Sequence, residues 1–318
     1  MRKNRLIIFP LIFMLISLAC GTSGSTASRE STVEAISAQV RATGTAAAAQ
    51  SSQGTQPVVE TNSDSLTATA VAFAPILESL PKYGVDPSEG KIGWIHPPVS
   101  LDASGYHQFE YINYYIGTLA KDFVISSDIT WNTVGSISGC GFVMRSDGNT
   151  NALDQYVAVI TRVASGHFVF STMSDGEVVT GRDIYARYKD KSFRWENDTT
   201  NRLTIVGRGN HFWIYTNDTL IGEVDPSAPP PQPNLPPEPD KPANPSDPQA
   251  MALYEQQKIE REAIIVQMQA DYAARKRAYN SAETVFERGF MALVALSESG
   301  RSTNCKFDNT WLFLIDSP

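Results

Sequence analysis

Two acids on one face of a strand can divide the work of hydrolysis, one giving a proton while the other carries charge. Glu223-Val224-Asp225 has that spacing at the end of a strand-like run, and Pro226 follows it at once. Glu196-Asn197-Asp198 repeats the spacing in a loop. Neither pair has a third partner nearby, so both read as charged ends rather than catalytic acids. The histidines, His96, His107, His167 and His211, lack metal-ligand spacing and a partnered Ser or Cys motif. They read as surface or strand-end residues.

Two loops are better candidates for binding. The segment 147–154 offers oxygens from Asp147, Asn149, Asn151 and Asp154 at near-alternating positions, as a calcium loop does. It lacks the glycine and closing glutamate of the EF-hand, and a plain polar hairpin is the alternative. The segment DIYARYKDKSFRWEND (183–198) brings Tyr185, Tyr188 and Trp195 together with Arg187 and Arg194. Sugars stack on aromatic faces and bond to such polar neighbours, so these five residues are the expected glycan contacts. The competing reading is that the rings plug an edge of the fold.

These loops must be carried by strands. Short runs with period-two alternation begin near Lys91, separated by Gly, Asn, Asp and Ser. FVISSDITW (123–131) places Phe123, Ile125, Ile129 and Trp131 on one face. CGFVMR (140–145) sets Cys140, Phe142 and Met144 against Gly141, Val143 and Arg145. QYVAVITR, HFVFSTM, RLTIVGRG and HFWIYTNDTLIGEV follow, the last with a tight turn at Asn217-Asp218. GFMALVAL (289–296) and KFDNTWLFLI (306–315) complete the set. The spacing predicts an all-β sandwich or barrel.

The GCGFVMR strand, the NRLTIVGRGNHFWIYTND hairpin and the late GFMALVAL…KFDNTWLFLI pair resemble the concanavalin A-like jelly-roll family, including its laminin-G-like modules. The resemblance covers residues 91–225 and 289–318 and implies a two-sheet antiparallel sandwich. Glycosidases of that family carry Glu-x-Asp-x-(x)-Glu on one strand, and here Glu223 and Asp225 are not followed by the third acid. Laminin-like members often hold calcium at a loop rim, which is the context for the 147–154 loop. The fold hosts lectins, hydrolases and inert spacers, so it does not fix a function.

Residues 226–288 interrupt the sandwich. Pro226–Pro248 holds 11 prolines in 23 residues and should be extended polyproline II. The segment 249–288 has no Pro, contains a single Gly-free run of Ala, Glu, Gln, Lys and Arg, and should be helical. Met251, Tyr254, Ile265, Met268, Tyr272, Tyr279, Ala282 and Phe286 recur at heptad spacing, interrupted by Lys258, Arg261 and Arg275. Three arrangements remain open: a hairpin of polyproline out and helix back, similar to the pancreatic-polypeptide fold; a helix lying on the sandwich; and self-association as a coiled coil through the interrupted seam.

The N-terminus reads as an export signal. Arg2, Lys3 and Arg5 precede a 14-residue apolar run from Leu6 to Ala19, too short to span a bilayer. Ile16-Ser17-Leu18-Ala19-Cys20 resembles the bacterial lipobox, with Ser17 where leucine is usual. The resemblance implies a signal peptide of residues 1–20, with diacylglycerol and palmitate chains on Cys20. Ordinary signal-peptidase cleavage is the alternative. Residues 21–90, rich in Ala, Ser, Thr and Gln, should form a disordered tether with at most transient helix at 31–49 and 65–80. Cys140 and Cys305 then remain as a pair in an oxidising compartment, and a disulfide is expected, with two buried free thiols as the alternative. A net charge of −8 argues against nucleic acid as a partner.

The sequence thus points to a lipoprotein on the extracytoplasmic face, at the cell surface or in the periplasm. It is expected to bind glycan or surface protein without catalysis and with no cofactor unless calcium. A divergent jelly-roll carbohydrate-active hydrolase and a structural spacer are the alternatives.

Overall fold

The computed structural model describes residues 63–134, 137–163 and 166–316. The signal peptide, Cys20 and the tether up to residue 62, with its expected helix at 31–49, lie outside the described residues. Among the described residues no helix is long and apolar enough to cross a membrane.

The two-sheet antiparallel sandwich expected from the sequence is present. A seven-stranded sheet runs β1 (Gly90–His96), β13 (Thr303–Ile315), β4 (Asp122–Asn132), β9 (Thr199–Arg208), β10 (His211–Thr216), β11 (Thr219–Val224), with β2 (Val99–Ala103) also paired to β13. A six-stranded sheet runs β3 (Gln108–Ile112), β12 (Phe290–Ser297), β5 (Gly139–Ser146), β6 (Gln155–Thr161), β7 (His167–Ser174), β8 (Glu177–Ile184). Alternation along each strand aims one set of side chains into the gap between the sheets. Phe123, Ile125, Ile129 and Trp131 of β4 all lie there, beside Phe142, Tyr156, Phe170 and Phe212. Asn217 and Asp218 form the β10–β11 turn with φ of 46° and 66°, the left-handed pair that a two-residue hairpin requires.

The Cys140–Cys305 disulfide is formed, with Cα atoms 5.7 Å apart. It joins β5 to β13 and therefore clamps one sheet to the other through the core. Closing a loop of 165 residues restricts the unfolded chain and is worth a few kcal/mol.

The folded part begins earlier than Lys91. Helix α1 (Ser63–Ser79) leads into a 3-10 turn at Leu80–Tyr83, which Gly84 closes at φ 70° by donating its N–H to the Leu80 and Pro81 carbonyls. Ile76, Leu80, Tyr83 and Val85 are buried on the outer face of the seven-stranded sheet against Val124, Val206 and Phe313. The Ala/Thr-rich composition of 65–80 predicts little burial; Ile76 and Leu80 at its end, with Tyr83 and Val85 just beyond, dock it on the sheet instead.

The insertion is a hairpin of polyproline and helix. The helix α3 (Pro248–Ser281) is capped by Asp247, whose carboxylate accepts from the Gln249 and Ala250 N–H groups, and it buries no residue. Every third residue of the extended segment is the less exposed one: Pro230, Pro233, Pro236, Pro239 and Pro242. Three residues per turn is the period of polyproline II, so one proline edge faces the helix throughout. The helical counterpart is the heptad seam of Met251, Tyr254, Arg261, Ile265, Met268 and Tyr272. Two contacts give an independent check. Tyr279 Oη donates to the Ser227 carbonyl, and Arg261 Nε donates to those of Pro236 and Pro237. From residue 261 to 279 is about 27 Å of helix. From 227 to 236 is about 28 Å of polyproline II.

The root of this arm is fixed. Arg182 Nη2 donates to the Ala228 and Pro229 carbonyls on the outgoing side. On the returning side, Tyr156 Oη donates to the Thr284 carbonyl and accepts from the Phe286 N–H. The buried Arg145 donates to the Phe286 and Lys121 carbonyls while lying 4.9 Å from the Phe212 ring centroid.

Candidate functional site

A short helix, α2 (Ala186–Lys189), follows β8 and carries Tyr188 just after Tyr185. The turn is pinned from below. Buried Asp190 accepts from Ser192 N and Oγ through one oxygen, and from Thr216 Oγ1 and Asn217 Nδ2 through the other. Ala186 and Phe193 are buried in the core on either side. The loop is therefore held rigid by one carboxylate and two apolar anchors. Tyr188 is 78% exposed and Tyr185 43%, with ring centroids 6.3 Å apart.

The other three expected contacts are placed differently. Trp195 is half-buried against the core, with the Arg187 guanidinium 5.2 Å and that of Arg162 5.9 Å from its ring. Its π-system is engaged by cations. Arg194 is exposed, while its main chain is tied to Asn201 in both directions. The five residues thus split into an exposed tyrosine pair and a stacked Arg–Trp–Arg buttress.

Beside the tyrosines lies a cleft of about 580 Å³ on the solvent face of the six-stranded sheet. Its floor is Val143, Val157, Val169 and Val294, the residues opposite in parity to those entering the core. Gly141 lets β5 approach β6 closely beneath this face, since a Cβ there would sit 1.9 Å from the Ala158 carbonyl oxygen. The rim is polar. His107 pairs with Glu298 at 2.5 Å, His167 Nε2 bonds Asp183 at 3.0 Å, and Arg275 reaches in from the arm. His167 holds the Asp183 carboxyl below its ordinary range, outweighing desolvation. The Tyr185 ring lies 5.1 Å from that of His167, which connects the tyrosine pair to Asp183 at the cleft.

Sequence reasoning did not find this cleft. Its signal was present in QYVAVITR, which is apolar at both parities, as a strand with two covered or concave faces must be. His107, Phe109, Asp183, Arg275 and Glu298 come from segments far apart in the chain, and only the topology gathers them.

The acidic candidates fall elsewhere. In the 147–154 loop, Asp147 Oδ1 accepts from the Asn149 and Asp154 N–H groups, Asn149 Oδ1 from Asn151 N, and Asp154 Oδ1 from Asp175 N. These oxygens are turned onto backbone N–H groups of the loop itself and, for Asp154, of the neighbouring turn at Asp175. No cluster of three or more His, Cys, Asp or Glu suited to a metal occurs among the described residues. Glu223 sits on β11, the last strand of the seven-stranded sheet, 2.8 Å from His211 Nδ1, and Asp225 caps a turn through Ser227. That edge belongs to the other sheet from the cleft. Asp198 accepts from Asn132 Nδ2.

No protein-family model and no curated protein matches the chain. Solved structures similar to it include the carbohydrate-binding module CBM66 from Bacillus subtilis, with a TM-score of 0.37 and 13% identity over 70% of this chain and 94% of that one. A GH16 endo-β-1,3(4)-glucanase, SCLam, has a TM-score of 0.35 and 4% identity over 69% of this chain and 72% of that one. A functionally unknown protein from Saccharomyces cerevisiae has a TM-score of 0.34 and 7% identity over 71% of this chain and 96% of that one. At these scores and identities the likenesses assign no ligand and no activity.

Proposed function

We propose that the sandwich is a non-catalytic glycan-binding module, held at the extracytoplasmic face by lipid on Cys20. The observation that carries the reading is the exposed Tyr185–Tyr188 pair on a turn pinned by Asp190, next to the His167–Asp183 pair at one side of the cleft. A sugar ring presents C–H groups to an aromatic face and hydroxyls to its edge. Here the tyrosines supply the faces, and the His167–Asp183 and His107–Glu298 pairs supply fixed donors and acceptors nearby. Rigidity matters because an ordered platform loses little entropy on binding. Binding is preferred to hydrolysis because Glu223 and Asp225 lack the third acid and lie on the other sheet from the cleft.

A glycan array with the full chain tests this. Binding that falls at least about tenfold in Tyr185→Ala/Tyr188→Ala, with the melting transition unmoved, supports it. Retention of full affinity by that variant, or no bound glycan at all, overturns it. Retention of the chain in membranes, lost in Cys20→Ser, is the expected result for the anchor. A membrane fraction unchanged by Cys20→Ser would overturn lipidation.

A further inference from the structure

The heptad seam that the sequence offered for self-association is taken up by the proline edge, yet the helix carries a second stripe on its opposite side. Residues 252, 256, 259, 263, 266, 270, 273 and 277 alternate in steps of four and three, the spacing of a coiled-coil contact line. They are Ala252, Gln256, Ile259, Ala263, Val266, Ala270, Ala273 and Arg277. Among the described residues nothing covers them: Ile259 is 71% exposed and Val266 60%. Leu253, at the stripe's flank, is 56% exposed. Isolated exposed aliphatics are ordinary, but here they fall in register along a rigid rod.

We propose that this face pairs with the same face of a second copy, the two helices running antiparallel about a two-fold axis between Ile264 and Ile265. The choice of occupant follows from size and charge. In that register Ile259 meets Ala270 of the second copy and Val266 meets Ala263, so each large side chain fills the space over a small one. Leu253 meets Ala274 in the flanking row. The other flanking row is Glu255, Glu262, Gln269 and Lys276. Inverted against itself, it sets Glu255 opposite Lys276 twice and Glu262 opposite Gln269 twice. Glu260 meets Gln267 in the remaining row. No like charges meet anywhere along the line. A parallel pair would instead set each flanking row against the other row of the second copy, placing Glu255 opposite Glu260 twice and leaving Lys276 without an acidic partner.

A two-fold pair is closed: the same patch is used on both copies and no further surface is left to propagate a fibre. The polyproline edges stay on the outside of the pair, each bracing its own helix. The arm's fixed root then sets the two sandwiches at opposite ends of the paired rods. This inference stands apart from the glycan reading, since neither the tyrosine pair nor the cleft floor takes part.

Sedimentation of the full chain in detergent, together with cysteine cross-linking in membranes, tests it. The expected result is a monomer–dimer equilibrium that Ile259→Asp/Val266→Asp shifts to monomer by at least about tenfold in Kd. Ile264→Asp, on the same helix but off the stripe, should leave it unchanged. Lys276→Glu should weaken the dimer, and Glu255→Lys/Lys276→Glu should restore it. Glu255→Cys/Lys276→Cys should cross-link between copies, while Glu255→Cys alone should not. A monomer at every concentration up to about 100 µM, a dimer indifferent to Ile259→Asp/Val266→Asp, or cross-linking by Glu255→Cys alone would each overturn the proposal.

Discussion

The sandwich and the arm use opposite physics in one chain. Between the sheets, side chains such as Trp131, Phe142 and Phe170 are wholly removed from water, and a disulfide crosses the same layer. The arm's helix has no buried residue at all. Its order comes from local hydrogen bonds, from a proline edge that has little conformational entropy to lose, and from a root nailed to the sandwich. The difference teaches that the arm is conditional. Long-range burial sustains the sandwich, whereas the arm depends on a handful of contacts at and near its base. Perturbations should therefore propagate from sandwich to arm and seldom the other way.

The largest effect should come from Trp131→Ala in the core. Emptying that site should cost about 3–5 kcal/mol, and denaturant unfolding should show loss of both regions in one transition. Survival of the sandwich with only the arm lost would invert the comparison. Next is Cys140→Ala/Cys305→Ala, expected to cost about 2–5 kcal/mol of global stability with the helical circular dichroism of the arm unchanged in native buffer.

Tyr156→Phe sharpens the comparison, because it removes one hydroxyl shared by the two regions. It leaves the Phe286 N–H without its partner, for about 1–3 kcal/mol. Hydrogen exchange should accelerate at the base of the arm more than in β6; equal acceleration throughout would argue that the root is no separate unit. Arg261→Ala should be smaller still, within about 1 kcal/mol, and confined to the middle of the arm.

A pH scan probes the sandwich alone. His96 is buried, stacked on Tyr114, and desolvation lowers its pKa from 6.5. A lowered folded-state pKa means the unfolded chain binds the proton more readily. Stability from this group is complete above pH 6.5 and is lost as pH falls through the lowered value. His96→Phe should flatten that slope, measured by urea midpoints between about pH 5 and 8. An unchanged slope would assign it to other groups.

Much of the architecture was legible because period and punctuation report it directly. The β4 alternation named its own core residues, Asn217-Asp218 announced a hairpin, and the 226–248 prolines announced their helix-like extended form. The strands β1, β2, β3 and β8 were not legible. β3 and β8 are the outer strands of the six-stranded sheet, and their exposed residues blur the apolar alternation. The glycan candidates are mixed in kind: Tyr185 and Tyr188 are open to solvent, whereas Trp195 is held by two arginines.

By itself the sequence determined what local rules govern: strand periods, turn residues, the cysteine pair left after an export signal, and a proline run followed by a proline-free helix. Each depends on neighbours within a few residues or on counting. Tertiary structure decided which of two faces each element uses. It put the proline edge on one side of the helix and left Ile259 and Val266 on the other. It also gathered His107, Asp183, Arg275 and Glu298 around a valine floor. Those outcomes depend on contacts between segments that are not neighbours in the chain, whose pairing no local pattern encodes.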